Sequence, residues 1–405
     1  MMLPDAPWQK WPGIKRLLDA LDAKGGATRY VGGCVRDTLL EAPVSDVDLA
    51  TRLEPEDVLA RLDKARIKAV PTGIAHGTIT AVIAGRPIEI TTLRRDVSTD
   101  GRRATVAFTD DWREDAARRD FTINALFADP VHHGLFDYFG GLDDLREGRV
   151  RFIGDPRERI AEDHLRILRF FRFHARFGRG EADPAAVEAC AERANDLMAL
   201  SRERIADELT KLLALPEPVA AVQLMVGREI LRPVLPEIET AGVEQLARLV
   251  RIERELGLPA DPYRRMAALF PPDPEAAAAI AARLRLSNRA RKRLAAAAER
   301  GRDAIDDPRL LAYRIGAEET ADRLLLAADT QHVREKLALL DGWRKPRLPV
   351  SGGDLIAMGL KPGPDVSRIL QAVEEEWAQG GFSGDRAAVE QLARRHVDQL
   401  LRASQ

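Results

Sequence analysis

The residues best suited to chemistry in this chain are two aspartates, Asp46 and Asp48, separated by one valine. On a strand, residues i and i+2 point to the same face, so the two carboxylates would repel each other unless a cation joined them. Mg²⁺ prefers such oxygen ligands and usually arrives bound to substrate phosphates. Shortly before them, Gly32 and Gly33 lie between a predicted strand and a predicted helix, where backbone N–H groups can approach a phosphate. Alone, the first motif is typical of a solvated acidic pair and the second of a plain turn; together they predict metal-dependent transfer of a nucleotide.

A third carboxylate would complete a metal site, and Glu89 is the candidate. It lies within a predicted strand in which polar residues alternate with isoleucine. The alternative is that Glu89 occupies the outward face of an edge strand.

The stretch Arg118-Arg119-Asp120-Phe121-Thr122-Ile123-Asn124 adds a second group of candidates. Arg119 offers a charge-assisted fork for a phosphate. Asp120 and Asn124 are one helical turn apart and are candidates to bind ribose hydroxyls, which distinguish ribonucleotides from deoxyribonucleotides. The alternative is an ordinary helix start with Asp120 as its N-cap.

A base-reading pair is predicted in Glu162-Asp163-His164-Leu165-Arg166-Ile167-Leu168-Arg169. At i and i+3 of a predicted helix, Asp163 and Arg166 would be neighbours on one face. In water they would form a weak surface ion pair. In a pocket, Asp163 would accept from an exocyclic amine and Arg166 would donate to a ring nitrogen, which suits cytosine and adenine. Uracil and guanine present the reverse order and would leave buried groups unpaired, at about 1–3 kcal/mol for each group.

The elements that must position these residues fall into two regions. The first is mixed, and the second, from about residue 145, shows only helical periodicity. The predicted strands cover 29–31, 47–50, 67–70, 77–83 and 87–92. The predicted helices cover 14–24, 55–64, 157–177, 184–199, 202–214, 217–228, 243–256 and 276–298. The fold class is therefore α+β.

Composition is that of an ordinary globular protein of 405 residues, with 45% hydrophobic and 31% charged residues and a net charge of −2. Such a charge excludes an overall basic coat but allows a local basic track. Five basic residues of one predicted helical region are candidates for RNA contact, with a solvated charged face as the alternative. They are Arg283, Arg289, Arg291, Lys292 and Arg293.

The two cysteines, Cys34 and Cys190, show no metal-binding spacing, which favours a reducing, cytoplasmic setting. No signal-type stretch and no run of about 18 apolar residues occurs, so no membrane span is expected.

Beyond these inferences, a series of motifs resembles the class II tRNA nucleotidyltransferases, the CCA-adding family that also includes bacterial poly(A) polymerases. The resemblance covers about residues 28 to 215, with a less specific match at 351–370. The matching stretches are VGGCVRD (31–37), SDVDLAT (45–51), TGIAHGTITAVI (72–83), EITTLRRD (89–96), TDGRR (99–103), ARRDFTINAL (117–126), LFDYFGGLDDL (135–145), EDHLRILRFFRFHARFG (162–178) and SRERIADELTKLL (201–213).

The resemblance implies a role for each motif. Asp46 and Asp48 would bind catalytic Mg²⁺, with Glu89 at the third acidic position. Residues 94–108 would form the flexible loop needed to switch from C to A. The nucleotide-binding residues would be Gly32, Gly33, Arg36, Arg119, Asp120, Asn124, Asp163, Arg166 and Arg169, with the last three in the base-selecting motif.

The implied architecture is a nucleotidyltransferase head with a small mixed sheet (1–140), followed by a helical neck (141–215), a body (216–270) and a tail (271–405). The helices after about residue 200 would grip tRNA. The implied reaction adds C, C and A to the tRNA 3′ end from CTP and ATP, with pyrophosphate leaving and two metal ions assisting.

Rivals within the same class are a poly(A) polymerase, a CC-adding enzyme and an A-adding enzyme. The TGIAHGT turn favours the tRNA-specific members, and the unaltered 96–103 segment weighs against a CC-only enzyme. A remote alternative is a catalytically silent RNA-binding protein on the same scaffold. The sequence leaves the oligomeric state open.

Overall fold

The protein was studied as a computed structural model that describes residues 1–100, 103–299, 306–327 and 330–403. The chain divides into two compact units, Met1–Thr240 and Ala241–Gln405. The α+β class predicted from the sequence is confirmed, because the strands lie in the first unit and helices make up the rest. The finer division into head, neck, body and tail stays a prediction.

The first unit is built on a seven-stranded mixed sheet. Its strands, in chain order, are β1 Thr28–Val31, β2 Asp48–Thr51, β3 Lys68–Gly73, β4 Thr78–Ile83, β5 Arg86–Thr92, β8 Leu126–Ala128 and β9 Leu135–Asp137, and a separate hairpin pairs β6 Arg94–Asp100 with β7 Arg103–Phe108. The sheet order is β3-β4-β5-β2-β1-β8-β9. Only β2 and β5 run parallel; the other neighbours in the sheet are antiparallel.

The parallel pair places two predicted site residues side by side. Asp48 and Glu89 are register partners on β2 and β5, so their side chains leave the same face of the sheet. On that face, Val31 and Ala50 join a buried apolar cluster with Trp112 and Phe127. The acids therefore lie at the end of a packed sheet that fixes their spacing.

All five predicted strands are confirmed within a few residues as β1 to β5. Strands β6 to β9 were not predicted. The stretch interpreted as a flexible loop, 94–108, forms the β6–β7 hairpin, and residues 101–102 of it lie outside the described part of the chain. Strands β8 and β9 have only three residues each, too few for an alternating pattern to be recognised.

Ten α-helices of the first unit surround or follow the sheet. They are α1 Ile14–Ala20, α2 Gly33–Leu39, α3 Pro55–Lys64, α4 Trp112–Ala117, α5 Gly141–Glu147, α6 Pro156–Glu162, α7 Arg166–Phe177, α8 Pro184–Glu192, α9 Arg202–Leu213 and α10 Val219–Gly227. The amphipathic helix α7 buries Phe170 and Phe171, and α9 packs against it.

The prediction of one continuous helix over 157–177 was wrong. Helix α6 ends at Glu162, and Asp163 is extended, with φ −150° and ψ 106°. Its carboxylate accepts the backbone N–H of Leu165 at 3.1 Å, which competes with helical hydrogen bonding. Asp163 and Arg166 are therefore not i and i+3 of one helix; they flank a break between two helices.

In its described part, the second unit contains helices and no strand. Its helices are α11 Thr240–Leu256, which begins at the boundary residue, α12 Pro262–Leu269, α13 Pro274–Arg283, α14 Asn288–Ala298, α15 Pro308–Ile315, α16 Ala317–Ala327, α17 Thr330–Ala338, α18 Gly352–Ala357, α19 Pro364–Gln379 and α20 Arg386–Ala403. The predicted helix over 276–298 is two helices, α13 and α14. Trp377 lies in the apolar core formed by α15, α18, α19 and α20. No helix in the described residues is long and apolar enough to cross a membrane.

Candidate active site

A polar cavity of about 410 Å³ in the first unit collects most of the predicted site residues. Five arginines and three aspartates line it, so its walls are dominated by charge. The lining residues are Gly32, Gly33, Asp48, Arg118, Arg119, Asp120, Asn124, Asp163, Leu165, Arg166, Arg169 and Arg204. The glycine turn, β2, the 118–124 stretch and the α6–α7 break thus meet at one cavity.

The glycine turn forms one wall. Gly32 has φ +72° and directly precedes α2, a backbone conformation that a side chain would strain. A Cβ atom at Gly32 would lie 3.5 Å from Nη1 of Arg119. The turn therefore leaves room beside a guanidinium, which suits a phosphate.

The acidic wall is centred on Asp48. Burial raises the pKa of Asp48 to about 6; the charges of Glu89 and Asp46 add to the rise, and the charge of Arg119 opposes it. Asp46 is exposed, lies just before β2, and accepts a hydrogen bond from Ser45 at 2.8 Å. Glu89 is also exposed, and neither Asp46 nor Glu89 lines the cavity.

These acids fit a divalent cation that substrate oxygens complete. Among the described residues, no group of three or more His, Cys, Asp or Glu side chains is arranged to hold a metal ion. One or two carboxylates plus phosphate oxygens are sufficient for such an ion. Burial, and then repulsion from Glu89 and Asp46, raise the pKa of Asp48, and a cation bound among these acids would relieve the repulsion.

Asp120 is the centre of a buried hydrogen-bond network. One oxygen accepts from Asn124 at 3.0 Å and from the Phe121 N–H at 2.8 Å, and the other accepts from Arg169 at 2.9 and 2.6 Å. Burial opposes ionisation, but the Arg169 charge and these hydrogen bonds outweigh it and lower the pKa of Asp120 to about 2. Asp120 thus fixes Arg169 and Asn124, a role that the sequence did not reveal.

Arg36 lies behind this network rather than in the cavity wall. Its guanidinium bonds to the Asn124 side-chain oxygen and to Asp37, and lies 4.2 Å from the ring centroid of Phe177. Only 5% of Arg36 is exposed, and it reaches the cavity through its contact with Asn124, which lines the wall. The nucleotide-binding role that the resemblance implies for Arg36 stays a prediction.

Asp163 and Arg166, the predicted base-reading pair, both line the cavity. Their hydrogen bonds within the protein determine which of their donors and acceptors can bind a ligand. Arg166 donates from Nη1 to Glu162 and to the Arg159 carbonyl, and from Nη2 to the Arg118 carbonyl. Of its five N–H donors, the Nε hydrogen and one Nη2 hydrogen remain. Asp163 accepts from Arg204 at 3.0 and 2.8 Å.

Sequence reasoning missed three lining residues, Arg118, Leu165 and Arg204. Arg204 is on α9, about forty positions from Asp163, and no local pattern predicts that pairing. Arg118 directly precedes Arg119 in the sequence, and that position next to a predicted site residue was the signal that could have identified it. Burial lowers the pKa of Arg118 to about 10, against the attraction of Asp115.

The candidate RNA-binding residues lie in the second unit and differ in exposure. Arg283, Arg289, Arg291 and Lys292 are exposed, whereas Arg293 is 6% exposed and bonds to Asp261, Glu318 and Asp322. The four exposed side chains are available to solvent and the fifth is an interior ion-pair partner.

Comparison with known proteins decides the family. The family model "Poly A polymerase head domain" matches residues 28–151, and "Probable RNA and SrmB- binding site of polymerase A" matches 181–241. The human protein "CCA tRNA nucleotidyltransferase 1, mitochondrial" is 33% identical over 388 residues, covering 92% of this chain and 88% of its own length. The chain belongs to the CCA-adding tRNA nucleotidyltransferase family.

Two further CCA-adding enzymes extend the likeness to bacteria and to a solved structure. The one from Streptococcus mutans is 31% identical over 393 residues, covering 94% of this chain and 96% of its own length. The crystal structure of the Bacillus stearothermophilus CCA-adding enzyme in complex with CTP has a TM-score of 0.76 at 27% identity, covering 96% of this chain and 99% of that one. The likeness to the CCA-adding family therefore spans both units.

Proposed function

We propose that this chain is a CCA-adding enzyme, which joins C, C and A to the 3′ end of tRNA from CTP and ATP with release of pyrophosphate. The observation that carries the proposal is one cavity lined by a glycine turn, Asp48, Arg119 and the pair Asp163 and Arg166. These are the groups needed for the phosphates, the metal and the base of one nucleotide.

Each wall of the cavity has a part in this reaction. The backbone N–H of Gly33 and Nη1 of Arg119 bind the triphosphate. Asp163 and the remaining donors of Arg166 select cytosine and adenine by their hydrogen-bonding edges. Asn124 and Asp120 would contact the ribose, with Arg169 bonded to Asp120 beside them. Alignment of the two substrates in this cavity supplies much of the rate.

Asp46 and Asp48 would hold Mg²⁺, with Glu89 as the neighbouring third acid. When bound, Mg²⁺ supplies activation of the attacking RNA 3′-hydroxyl and stabilisation of charge on the leaving pyrophosphate. Asp48 must be ionised to bind the ion, and its burial raises its pKa to about 6.

The other partners follow from the rest of the chain. Exposed basic residues near α13 and α14, namely Arg283, Arg289, Arg291 and Lys292, would contact tRNA phosphates. A cytoplasmic location is proposed on the two buried, unpaired cysteines, Cys34 and Cys190.

The test is single-nucleotide extension of tRNA transcripts that end before CCA, after C, or after CC, with Mg²⁺ and each nucleotide alone or mixed. The expected result is addition of C, C and A, then a stop, and at least a hundredfold loss of rate in Asp48→Asn. Long A tails on unrelated RNA would indicate a poly(A) polymerase. A halt after CC, or activity only on the CC-ending transcript, would indicate a CC-adding or an A-adding enzyme. No incorporation on any RNA would leave the non-catalytic RNA-binding alternative.

A further inference from the structure

A buried carboxylate just outside the cavity connects two of its arginines. Asp115, on α4, is 1% exposed. Its Oδ1 accepts from Arg118 Nε at 2.8 Å and from the Arg94 backbone N–H at 3.3 Å. Its Oδ2 accepts from Arg119 Nε and Nη2 at 3.3 and 3.0 Å. Each oxygen therefore serves a different arginine.

This division leaves a defined part of Arg119 for a ligand. Nε and Nη2 are used by Asp115, and Nη1 lies beside the glycine turn, 3.5 Å from the position of a Cβ at Gly32. The same guanidinium is close enough to Asp48 to lower its pKa. Arg119 is thus held between the place of the phosphates and the place of the metal.

Arg118 is held in the same way but from the other oxygen. Its Nη2 lies 2.7 Å from Asp115 Oδ1, and its backbone carbonyl accepts from Arg166 at 3.1 Å. A long arginine side chain loses much rotamer freedom when fixed, and a buried carboxylate fixes it before a ligand arrives.

We propose that Asp115 is a positioning residue for the phosphate part of the nucleotide, which it serves by presenting Arg118 and Arg119 to the cavity in a fixed orientation. The inference deepens the proposed function and rests on it for the identity of the ligand. Asp115 does not line the cavity, so it acts through the two arginines.

The chain offers a matched control in Asp144, which is also fully buried and also bonds to two arginines. It accepts from Arg149, Arg151 and Thr122, at 2.6 Å from the last, and neither Asp144 nor any of these partners lines the cavity. Both Asp115→Asn and Asp144→Asn remove a buried charge that is bonded to two arginines. The arginines line the cavity only in the case of Asp115.

The experiment measures binding of CTP, and separately of inorganic pyrophosphate, to the full chain with Mg²⁺ and without tRNA, alongside thermal unfolding. We expect Asp115→Asn to weaken both ligands by the same factor, about ten- to a hundredfold, the equivalent of one or two charge-assisted hydrogen bonds. Asp144→Asn should lower the unfolding temperature without changing either affinity. In nucleotide addition by the same variants, the loss should be in KM more than in kcat.

Two results would overturn the proposal. One is Asp115→Asn with a lowered unfolding temperature and unchanged affinities, which would make Asp115 purely structural. The other is weakened CTP with unchanged pyrophosphate, which would move its effect to base or sugar. Because binding is measured without tRNA, failure of CCA addition by the wild type would be seen separately.

Discussion

At the scale of single residues, the carboxylate of Asp120 has the clearest pH signature. Its pKa is lowered from 3.8 to about 2 in the folded protein, so its ionised form stabilises the fold. That contribution is present above about pH 4 and is lost as the pH falls from 4 towards 2. We expect Asp120→Asn to be less stable than the wild type at pH 7 by on the order of 2 kcal/mol, and the difference to shrink as the pH falls from 4 towards 2. Urea unfolding at several pH values measures both.

The matched control for that comparison is Asp143→Asn. Asp143 also pairs with an arginine, Arg146, but its side chain is 68% exposed. Exposed pairs of this kind contribute little, so its variant should follow the wild type at every pH. A deficit of Asp120→Asn that stayed constant down to pH 3 would show that shape, rather than charge, explains the effect.

At the scale of elements, the turn before β4 constrains the hairpin formed by β6 and β7. Gly77 has φ +76°, and a Cβ there would lie 2.7 Å from Cε1 of Phe108, the last residue of β7. Gly85 has nearly the same backbone, φ +79°, with no atom within 4 Å of its Cβ position. We expect both alanine variants to lose about 1–2 kcal/mol from backbone strain, and Gly77→Ala to lose a further 1–3 kcal/mol from the contact.

Chemical unfolding of the two variants separates the terms, since their difference isolates the close approach. Phe108→Ala in the Gly77→Ala background should recover part of that difference by removing the ring. Equal losses in Gly77→Ala and Gly85→Ala would mean that β7 moves aside without cost.

The same scale shows what local sequence patterns predict and where they fail. Strands β1 to β5 were found because apolar residues alternate over four to seven positions between turn signals. The break at Asp163 was missed because helical periodicity continues through it. At the break, Asp163 accepts the backbone N–H of Leu165 and is also bonded to Arg204 on α9, a partner that no local window contains.

The site divides along the same line. The glycine turn, the acidic pair and the 118–124 stretch are short motifs whose residue types state their chemistry. Asp115 and Arg204 belong to no recognisable motif. Their place in the site depends on hydrogen bonds to Arg119 and Asp163, which form only in the folded chain. Arg293 was wrongly grouped with the exposed basic residues of α14, because the sequence does not distinguish it from them. In the structure it is buried and bonded to Asp322 of α16.

At the scale of the whole molecule, the candidate basic residues separate into one that is buried in ion pairs and four that are exposed to solvent. Arg293 donates to Asp322 at 2.6 and 3.0 Å, to Asp261 at 2.8 Å and to Glu318 at 2.9 Å. Burial alone would lower its pKa, but the hydrogen bonds and charges of Asp322 and Asp261 raise it overall. Of these acids only Asp322 is fully buried, and without Arg293 it would keep Arg264 as its one arginine partner among the described residues, so its buried charge would be less well compensated.

We therefore expect opposite effects from two substitutions on one helix. Arg293→Met should destabilise the unit Ala241–Gln405 by about 3–5 kcal/mol and leave the RNA affinity of the folded protein unchanged. Arg291→Gln, at an exposed position, should change stability by less than about 0.5 kcal/mol. It should also weaken tRNA binding and reduce the slope of log affinity against log salt by about one. Urea unfolding, together with tRNA titrations from low to moderate salt, distinguishes the two variants. If Arg293→Met kept full stability but lost RNA affinity, Arg293 would be a phosphate contact. The ion pairs of Arg293 would then not be important for the stability of this unit.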